Sequence, residues 1–379
     1  SRGTLDLGFN DWGRSVAARN SRPTDSGLFT HSLGGASLVA ALGFFLAPLG
    51  AFFATVTRLR RMAYRRRWLT SVRPPLPTLS IGNIAAGGTG KTPLLFSAID
   101  WLERHGGEVG VLSRGYGGDE GRMLEERFPA TLLVEGANRV QGLKTMMAGN
   151  PPELLLLDDG FQHFPLQRDF DVVVLDATQP WGRCFPAGLF REPPSALRRA
   201  DCIVLSRVDL VSSQEREQIW KKVDQVRKGL PTMPRVEGGV VAQVVRNLKS
   251  GEERPLSFFK QKTLCLAAGI GNPASFQALC EQAGLTPTSY RWKPDHYAWT
   301  SEDVLDFSKE KLVLVTEKDG VKIRPFATEN IWEVRVDWKF QKGQDVWEDT
   351  LHALHLPVRA ARIEPLWSAH DPHGRTVGR

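Results

Sequence analysis

Four cysteines are few for 379 residues, and Cys184, Cys202, Cys265 and Cys280 show neither a CxxC pair nor metal-binding spacing. That scarcity excludes a disulfide-stapled scaffold and a structural zinc site. Cys202 and Cys265 lie in apolar, strand-like runs and read as buried thiols of a reducing, cytosol-facing protein. Internal repeats are absent, which removes solenoids and propellers. Charge is missing altogether from residues 33–57. An apolar run of that length could cross a bilayer, which takes roughly 20 residues.

Arg58, Arg60, Arg61, Arg65, Arg66, Arg67 and Arg73 follow that run. Arginines in this position mark the cytoplasmic side and favour anionic headgroups. Pro48 and the small residues around it leave two geometries open, a span or a kinked helix lying in one leaflet. A cleaved leader fits poorly, because the stretch before the run is not basic and the arginines lie on its far side. A nucleic-acid patch fits poorly too, since the cluster adjoins apolar sequence and lacks interleaved stacking aromatics. The formal net charge of +7 is therefore read as facing an anionic membrane surface, with no nucleic-acid partner and no obligate protein partner evident. Residues 1–32 are polar and aperiodic and read as a disordered extension.

The most informative segment is Gly82-Asn83-Ile84-Ala85-Ala86-Gly87-Gly88-Thr89-Gly90-Lys91-Thr92-Pro93-Leu94. It sits between an apolar strand-like run at 76–81 and an amphipathic stretch at 94–102. A Gly-rich turn joining strand to helix and ending Gly-Lys-Thr is a phosphate cradle, with backbone N–H groups and the helix N-terminus facing the anion. Gly87, Gly88, Thr89 and Gly90 form the turn, Lys91 reaches the β- and γ-phosphates, and the Thr92 hydroxyl serves Mg²⁺. Ala85 stands where the full pattern has its first glycine. A nucleoside triphosphate is the expected ligand.

Beyond the cradle, near-continuous apolar strands at 108–113, 130–134, 154–157, 171–176 and 202–205 alternate with helical stretches. That pattern predicts a parallel sheet with helices on both faces and its ligand at the strand carboxyl ends. Pro231, Pro234 and Gly238-Gly239 read as a junction near residue 235. A second, smaller α/β unit follows, with strands at 263–268, 312–316 and 332–338 and a helix at 275–283. The expected division is 33–73 membrane-associated, 74–235 P-loop domain, 236–357 smaller α/β domain and 358–379 a loose tail.

An NTP enzyme needs a carboxylate on Mg²⁺, and Asp158-Asp159 at the tip of an apolar strand suits it. Adjacent acids at a buried strand end repel and are costly without a cation. His163, four residues on, would cap the loop or orient an aspartate. Transfer to an alcohol also needs a proton acceptor. Asp119-Glu120, after a strand and a Gly-rich turn, and Asp295-His296 are the loop candidates; Arg191-Glu192 is suggestive but unspecific.

Taken in order, these motifs resemble the tetraacyldisaccharide 4'-kinase family of lipid A synthesis. The resemblance rests on Ser80-Ile81-Gly82-Asn83 with the cradle, Ser113-Arg114-Gly115-Tyr116-Gly117-Gly118, Asp158-Asp159-Gly160-Phe161-Gln162-His163 and Arg168-Asp169. Pro186-Ala187-Gly188 with Arg191-Glu192-Pro193, Leu197-Arg198-Arg199-Ala200-Asp201, Pro294-Asp295-His296-Tyr297 and Thr316-Glu317-Lys318-Asp319 extend it. It implies a P-loop kinase at the cytoplasmic face of an inner membrane. Such an enzyme moves the γ-phosphate of ATP, with Mg²⁺, to the 4'-hydroxyl of a lipid-linked glucosamine disaccharide. Asp119 matches the family's catalytic aspartate, His296 its partner histidine, and Glu120 a metal or substrate contact. Lys91, Thr92, Asp158, Asp159 and Glu192 match phosphate and metal positions; Arg139, His163 and Arg191 fall on the acceptor side. Two departures stand out. The insert that normally precedes the acidic pair is almost absent, so Asp119 follows Gly118 directly. Asn138-Arg139 stands where the family usually has Asp-Arg. The rival reading is a membrane-attached GTPase switch, with Ser206-Arg207-Val208-Asp209 in place of Asn-Lys-x-Asp. A third is an inactive relative that only binds lipid.

Overall fold

The computed structural model describes residues 47–115 and 118–355. The expected extension at 1–32, the first part of the apolar run and the tail at 358–379 lie outside the described residues.

Helix α1 (Ala47–Arg65) comes first and is followed by strand β1 (Thr78–Asn83). The cradle then leads into α2 (Lys91–Arg104). Leu94, Leu95, Ala98, Ile99 and Leu102 form the buried stripe of α2, spaced as a helix requires to cover a sheet. Next come β2 (Val109–Ser113), α3 (Asp119–Arg127), β3 (Leu132–Glu135), α4 (Arg139–Ala148) and β4 (Leu154–Asp158). Strands β5 (Phe170–Asp176) and β6 (Cys202–Ser206), with α5 (Ser213–Val226), complete the first half. Strands β1, β2, β4, β5 and β6 are buried along their whole length, as a sheet covered on both faces demands. Burial also pushes the Cys202 thiol up to about 12, with Asp201 adding to the shift, so it is an unreactive core thiol.

The segment read as a junction is largely strand. β7 (Arg235–Asn247) pairs parallel with β6 and antiparallel with β12 (Ile331–Lys342). Gly238 and Gly239 belong to it because neighbours crowd them. A Cβ on Gly238 would lie 2.6 Å from the Lys339 carbonyl oxygen, and one on Gly239 would lie 2.4 Å from Asp209 Oδ1. Glycine inside a strand marks such close approach as well as a bend, and sequence alone does not separate the two.

Off β7 lies β8 (Glu253–Pro255), and beyond it β9 (Cys265–Ala268), α6 (Pro273–Gln282), β10 (Ser289–Trp292) and α7 (Ser301–Phe307). β11 (Val313–Thr316), α8 (Glu317–Ile323), β12 and α9 (Gln344–His355) complete the described residues. All the described strands belong to one 12-stranded sheet of order β10-β9-β11-β12-β7-β6-β5-β1-β4-β2-β3, with β8 beside β7. Every pairing on the path is parallel except β7 with β12.

That one reversal positions the site. The N-terminal end of β7 pairs with β6 and its C-terminal end with the start of β12, where β11 also pairs. Strand directions therefore invert across the β7–β12 ribbon. The carboxyl ends of β1, β2, β4 and β6 point toward the second half, and those of β9, β10 and β11 point back toward the first. Both sets of ligand-bearing ends converge on one region.

Candidate active site

The cradle is braced from below and open above. Asn83 Nδ2 donates to Thr89 Oγ1 at 2.9 Å, and Ser206 Oγ donates to the Thr89 carbonyl at 2.8 Å. Arg207 joins Asp176 Oδ2 at 2.5 Å and the Gly88 carbonyl at 2.5 Å. Gly87 and Gly90 take φ of 104° and 86°, the left-handed values that favour glycine. A Cβ on Gly87 or Gly88 would meet nothing within 4 Å, so the concave side is clear for a phosphate chain. Ser206-Arg207 thus props the cradle by its carbonyls, and this geometry lends nothing to the guanine-switch reading.

Asp158 closes β4 and Asp159 follows it with φ 52°, a strained value for a residue with a side chain. Ser113 Oγ donates to Asp158 Oδ2 at 3.2 Å, and Arg139 Nη2 donates to the Asp158 carbonyl at 3.2 Å. Asp159 faces Lys91 Nζ at 3.5 Å and Arg191 Nη1 at 2.5 Å. Burial, with Glu120 and Asp159 nearby, pushes Asp158 up to about 7 against the pull of Lys91. Burial raises Asp159 as well, but Lys91 and Arg191 outweigh it and hold this carboxyl below its ordinary value. Thr92, Ser113, Glu120 and Asp158 line one small cleft. Carboxylates gathered at a strand tip beside a threonine hydroxyl, one of them pushed up by burial, have the oxygen-rich chemistry a hard divalent cation fits.

Glu192 and His163 stand differently. Glu192 is almost wholly buried, with Arg199 bidentate on its carboxylate at 2.9 Å and Gln162 Nε2 donating at 3.1 Å. Gln162 Nε2 also donates to the Asn83 carbonyl at 2.8 Å. Glu192 therefore ties the acid loop to the base of the cradle. Burial, then Arg139 and Arg168, pulls His163 down to about 4, so its ring is neutral near pH 7.

The acid–histidine pair is assembled from both halves of the sheet. Asp119 opens α3 and is buried. His296 Nδ1 lies 3.2 Å from Asp119 Oδ2. His296 has φ 58°, and its backbone N–H donates to the Gly269 carbonyl at 3.1 Å and to Asp295 Oδ1 at 3.0 Å. Beneath it, Asp319 is fully buried and fully partnered. Gly269 N–H donates to it at 3.0 Å, Trp299 Nε1 at 2.8 Å and Thr316 Oγ1 at 2.6 Å. Lys318 Nζ lies 3.4 Å from His296 Nε2. An ammonium only donates, so Nε2 accepts and, in the neutral ring, Nδ1 carries the proton facing Asp119.

Sequence reading placed Ser206 and Arg207 only in the guanine-switch alternative and missed the roles of Arg199, Gln162 and Lys322, whose ammonium reaches Asp119. Arg199 and Gln162 lie inside quoted motifs, where their composition carried no separate signal. Lys322 falls three residues past Asp319, one turn on along the same helix, and that spacing was available.

The sequence model of tetraacyldisaccharide-1-P 4'-kinase matches residues 42–119 and 117–355, its two segments meeting where Asp119 follows Gly118. A tetraacyldisaccharide 4'-kinase of Nitrosococcus oceani is 36% identical over 318 residues, 77% of this chain and 85% of that protein. One from Pseudomonas entomophila is 32% identical over 342 residues, 83% of this chain and 93% of that protein. Among solved structures, the "apo" form LpxK from Aquifex aeolicus in complex with ATP superposes with a TM-score of 0.67 at 26% identity. It covers 83% of this chain and 99% of that one. Matching sequence along most of its length, and matching fold across both halves of its sheet, the chain belongs to the tetraacyldisaccharide-1-P 4'-kinase family.

Proposed function

We propose that this protein transfers the γ-phosphate of ATP to the 4'-hydroxyl of a lipid-linked, tetraacylated glucosamine disaccharide. The observation that carries the reading is the meeting of Asp119 with His296 beside the cleft of Thr92, Glu120 and Asp158. In this reading the cradle and Lys91 hold the β- and γ-phosphates. Thr92, Asp158 and Asp159 would hold Mg²⁺, which when bound neutralises charge developing on the phosphoryl oxygens. Glu192 keeps Arg199 and the acid loop in register. Asp119, oriented by His296, takes the hydroxyl proton as the sugar oxygen bonds to phosphorus and the bond to the β-phosphate oxygen breaks, leaving ADP. Arg139, His163, Arg191 and Glu120 face the acceptor. Residues 74–235 supply the nucleotide side and 236–357 the histidine side.

Access to a lipid acceptor is supported by α1 and the loop at 184–190. Leu49, Phe52, Val56 and Leu59 form an exposed stripe at helical spacing, flanked by exposed Arg58, Arg60, Arg65, Arg66 and Arg67. Phe53 packs edge-on against Phe185 at 5.7 Å, and Phe185 and Leu189 are themselves exposed. Ala86 N–H donates to the Leu189 carbonyl at 2.7 Å, so this loop joins the apolar surface to the cradle and then delivers Arg191. Among the described residues no helix is long and apolar enough to cross a membrane. These features support our reading of an attachment at the cytoplasmic face of the inner membrane, with α1 contributing an interfacial surface. Each buried Phe or Leu contributes roughly 1.5–3 kcal/mol, against about 1 kcal/mol for each arginine near anionic lipid. The apolar stripe sets depth and the arginines set lipid preference. Replacing Phe185 and Leu189 together by Ser is expected to lower partitioning onto phosphatidylglycerol vesicles by about tenfold or more, with ATP affinity unchanged. Undiminished partitioning would leave α1 as the sole docking element.

The direct test presents γ-labelled ATP, Mg²⁺ and a tetraacylated glucosamine disaccharide in detergent micelles. Label on the 4'-oxygen is the expected result. Release of label to water alone, or a strong preference for GTP, would point instead to a switch. No turnover with retained lipid binding would point to the inactive relative.

A further inference from the structure

Asp119 has a second partner besides His296. Lys322 Nζ, on α8, lies 2.7 Å from the same carboxylate oxygen, Oδ2. Its side chain is 12% exposed and Asp119's 7%. The contact is an ion pair whose angles fall outside hydrogen-bond range, and the buried ammonium meets no other acceptor among the described residues. Helices α3 and α8 pack against each other, and ion pairs join them at more than one point. Lys322 meets Asp119, and Arg127 Nη1 stands 3.7 Å from Glu317. Arg324, just after α8, reaches Glu126 of α3 and joins Glu333 at 2.8 Å. With His296 and Lys322 both on Oδ2, Oδ1 has no partner among the described residues.

We propose that Lys322 is a positioning residue for phosphoryl transfer, an inference that rests on the kinase reading above. It pins Oδ2 so that Oδ1 is presented to the acceptor hydroxyl. Its charge also offsets the repulsion between the Asp119 carboxylate and a γ-phosphate brought close to it. A carboxylate alone beside a triphosphate would swing away from the reacting oxygen. A buried cation on its far oxygen removes that tendency without touching the substrate.

A double-mutant cycle on the full chain tests this, using ATP, Mg²⁺ and the micellar disaccharide. Lys322→Met is expected to lower kcat by about 10- to 100-fold with KM for ATP within about twofold, because only the orientation of the base is lost. In an Asp119→Asn background the same change should alter kcat by less than about twofold, since its route runs through Asp119. Effects that multiply, or a Lys322→Met enzyme with wild-type kcat, would overturn the proposal. A fully active Asp119→Asn enzyme would instead remove the kinase site reading beneath it. Should Lys322→Met fail to fold, Lys322→Arg and Lys322→Gln decide. Arg keeps the charge and should stay within about fivefold of wild type, whereas Gln should fall with Met. Equal activity of Arg and Gln would sink the idea.

Discussion

Lys91→Ala is expected to abolish turnover. The residue opens α2 at the mouth of the cradle, its ammonium 3.5 Å from Asp159. No other described lysine or arginine is paired with the acid loop from the cradle itself; Arg191 reaches Asp159 from the loop after 190. Phosphoryl transfer gives a protein little covalent work, so the rate rests on charges aimed where charge develops. Losing one such donor costs about 10²–10³ in kcat. Lys91 also holds the β- and γ-phosphates before transfer, so KM for ATP should rise together with a kcat loss of about 10³-fold or more. Steady-state kinetics with a direct nucleotide titration separates the two components. An alanine variant within tenfold of wild type would mean that the triphosphate lies elsewhere.

The second large effect is expected from Asp119→Asn. It should cut kcat by roughly 10²–10⁴, the usual contribution of a positioned base. Nucleotide affinity should change little, since Asp119 belongs to α3 and not to the cradle. Asparagine is preferred to alanine on physical grounds. Asp119 is buried with Lys322 and His296 on one oxygen. Truncation would strand a buried ammonium, and breaking a buried pair costs about 3–5 kcal/mol. Stability loss would then mask the catalytic one. Nucleotide titration of the Asn variant should match wild type while single-turnover transfer collapses. Its thermal unfolding temperature should fall less than that of an alanine variant, because the amide keeps the side chain's shape and an oxygen toward Lys322 though not its charge. Unchanged transfer would move the base to another residue.

Much of this site was legible because its signals are local. The Gly-rich turn announces itself through φ values that glycine favours, at Gly87 and Gly90. The strand runs show as apolar stretches, and each expected strand lies within a few residues of a structural one, whereas β7, β8 and β10 had no counterpart among the expected strands. Asp158-Asp159 stands out because two acids at a buried strand tip need an explanation. What escaped notice needed partners distant in sequence. Gly238 and Gly239 look like a linker until Lys339 and Asp209 are seen against them. Glu192 looks like a metal ligand until Arg199 is found bidentate on it. Lys322 looks like an ordinary helix lysine until α8 is laid along α3.

The sequence by itself determined the phosphate cradle, the apolar strands, the acid tip and the family, because short-range backbone chemistry and motif order are written residue by residue. Only the tertiary structure decided which acid meets which base. The antiparallel β7–β12 ribbon turns the second half of the sheet to face the first. Asp119 and His296, 177 residues apart, become neighbours through strand direction, a property that no local segment of the chain contains.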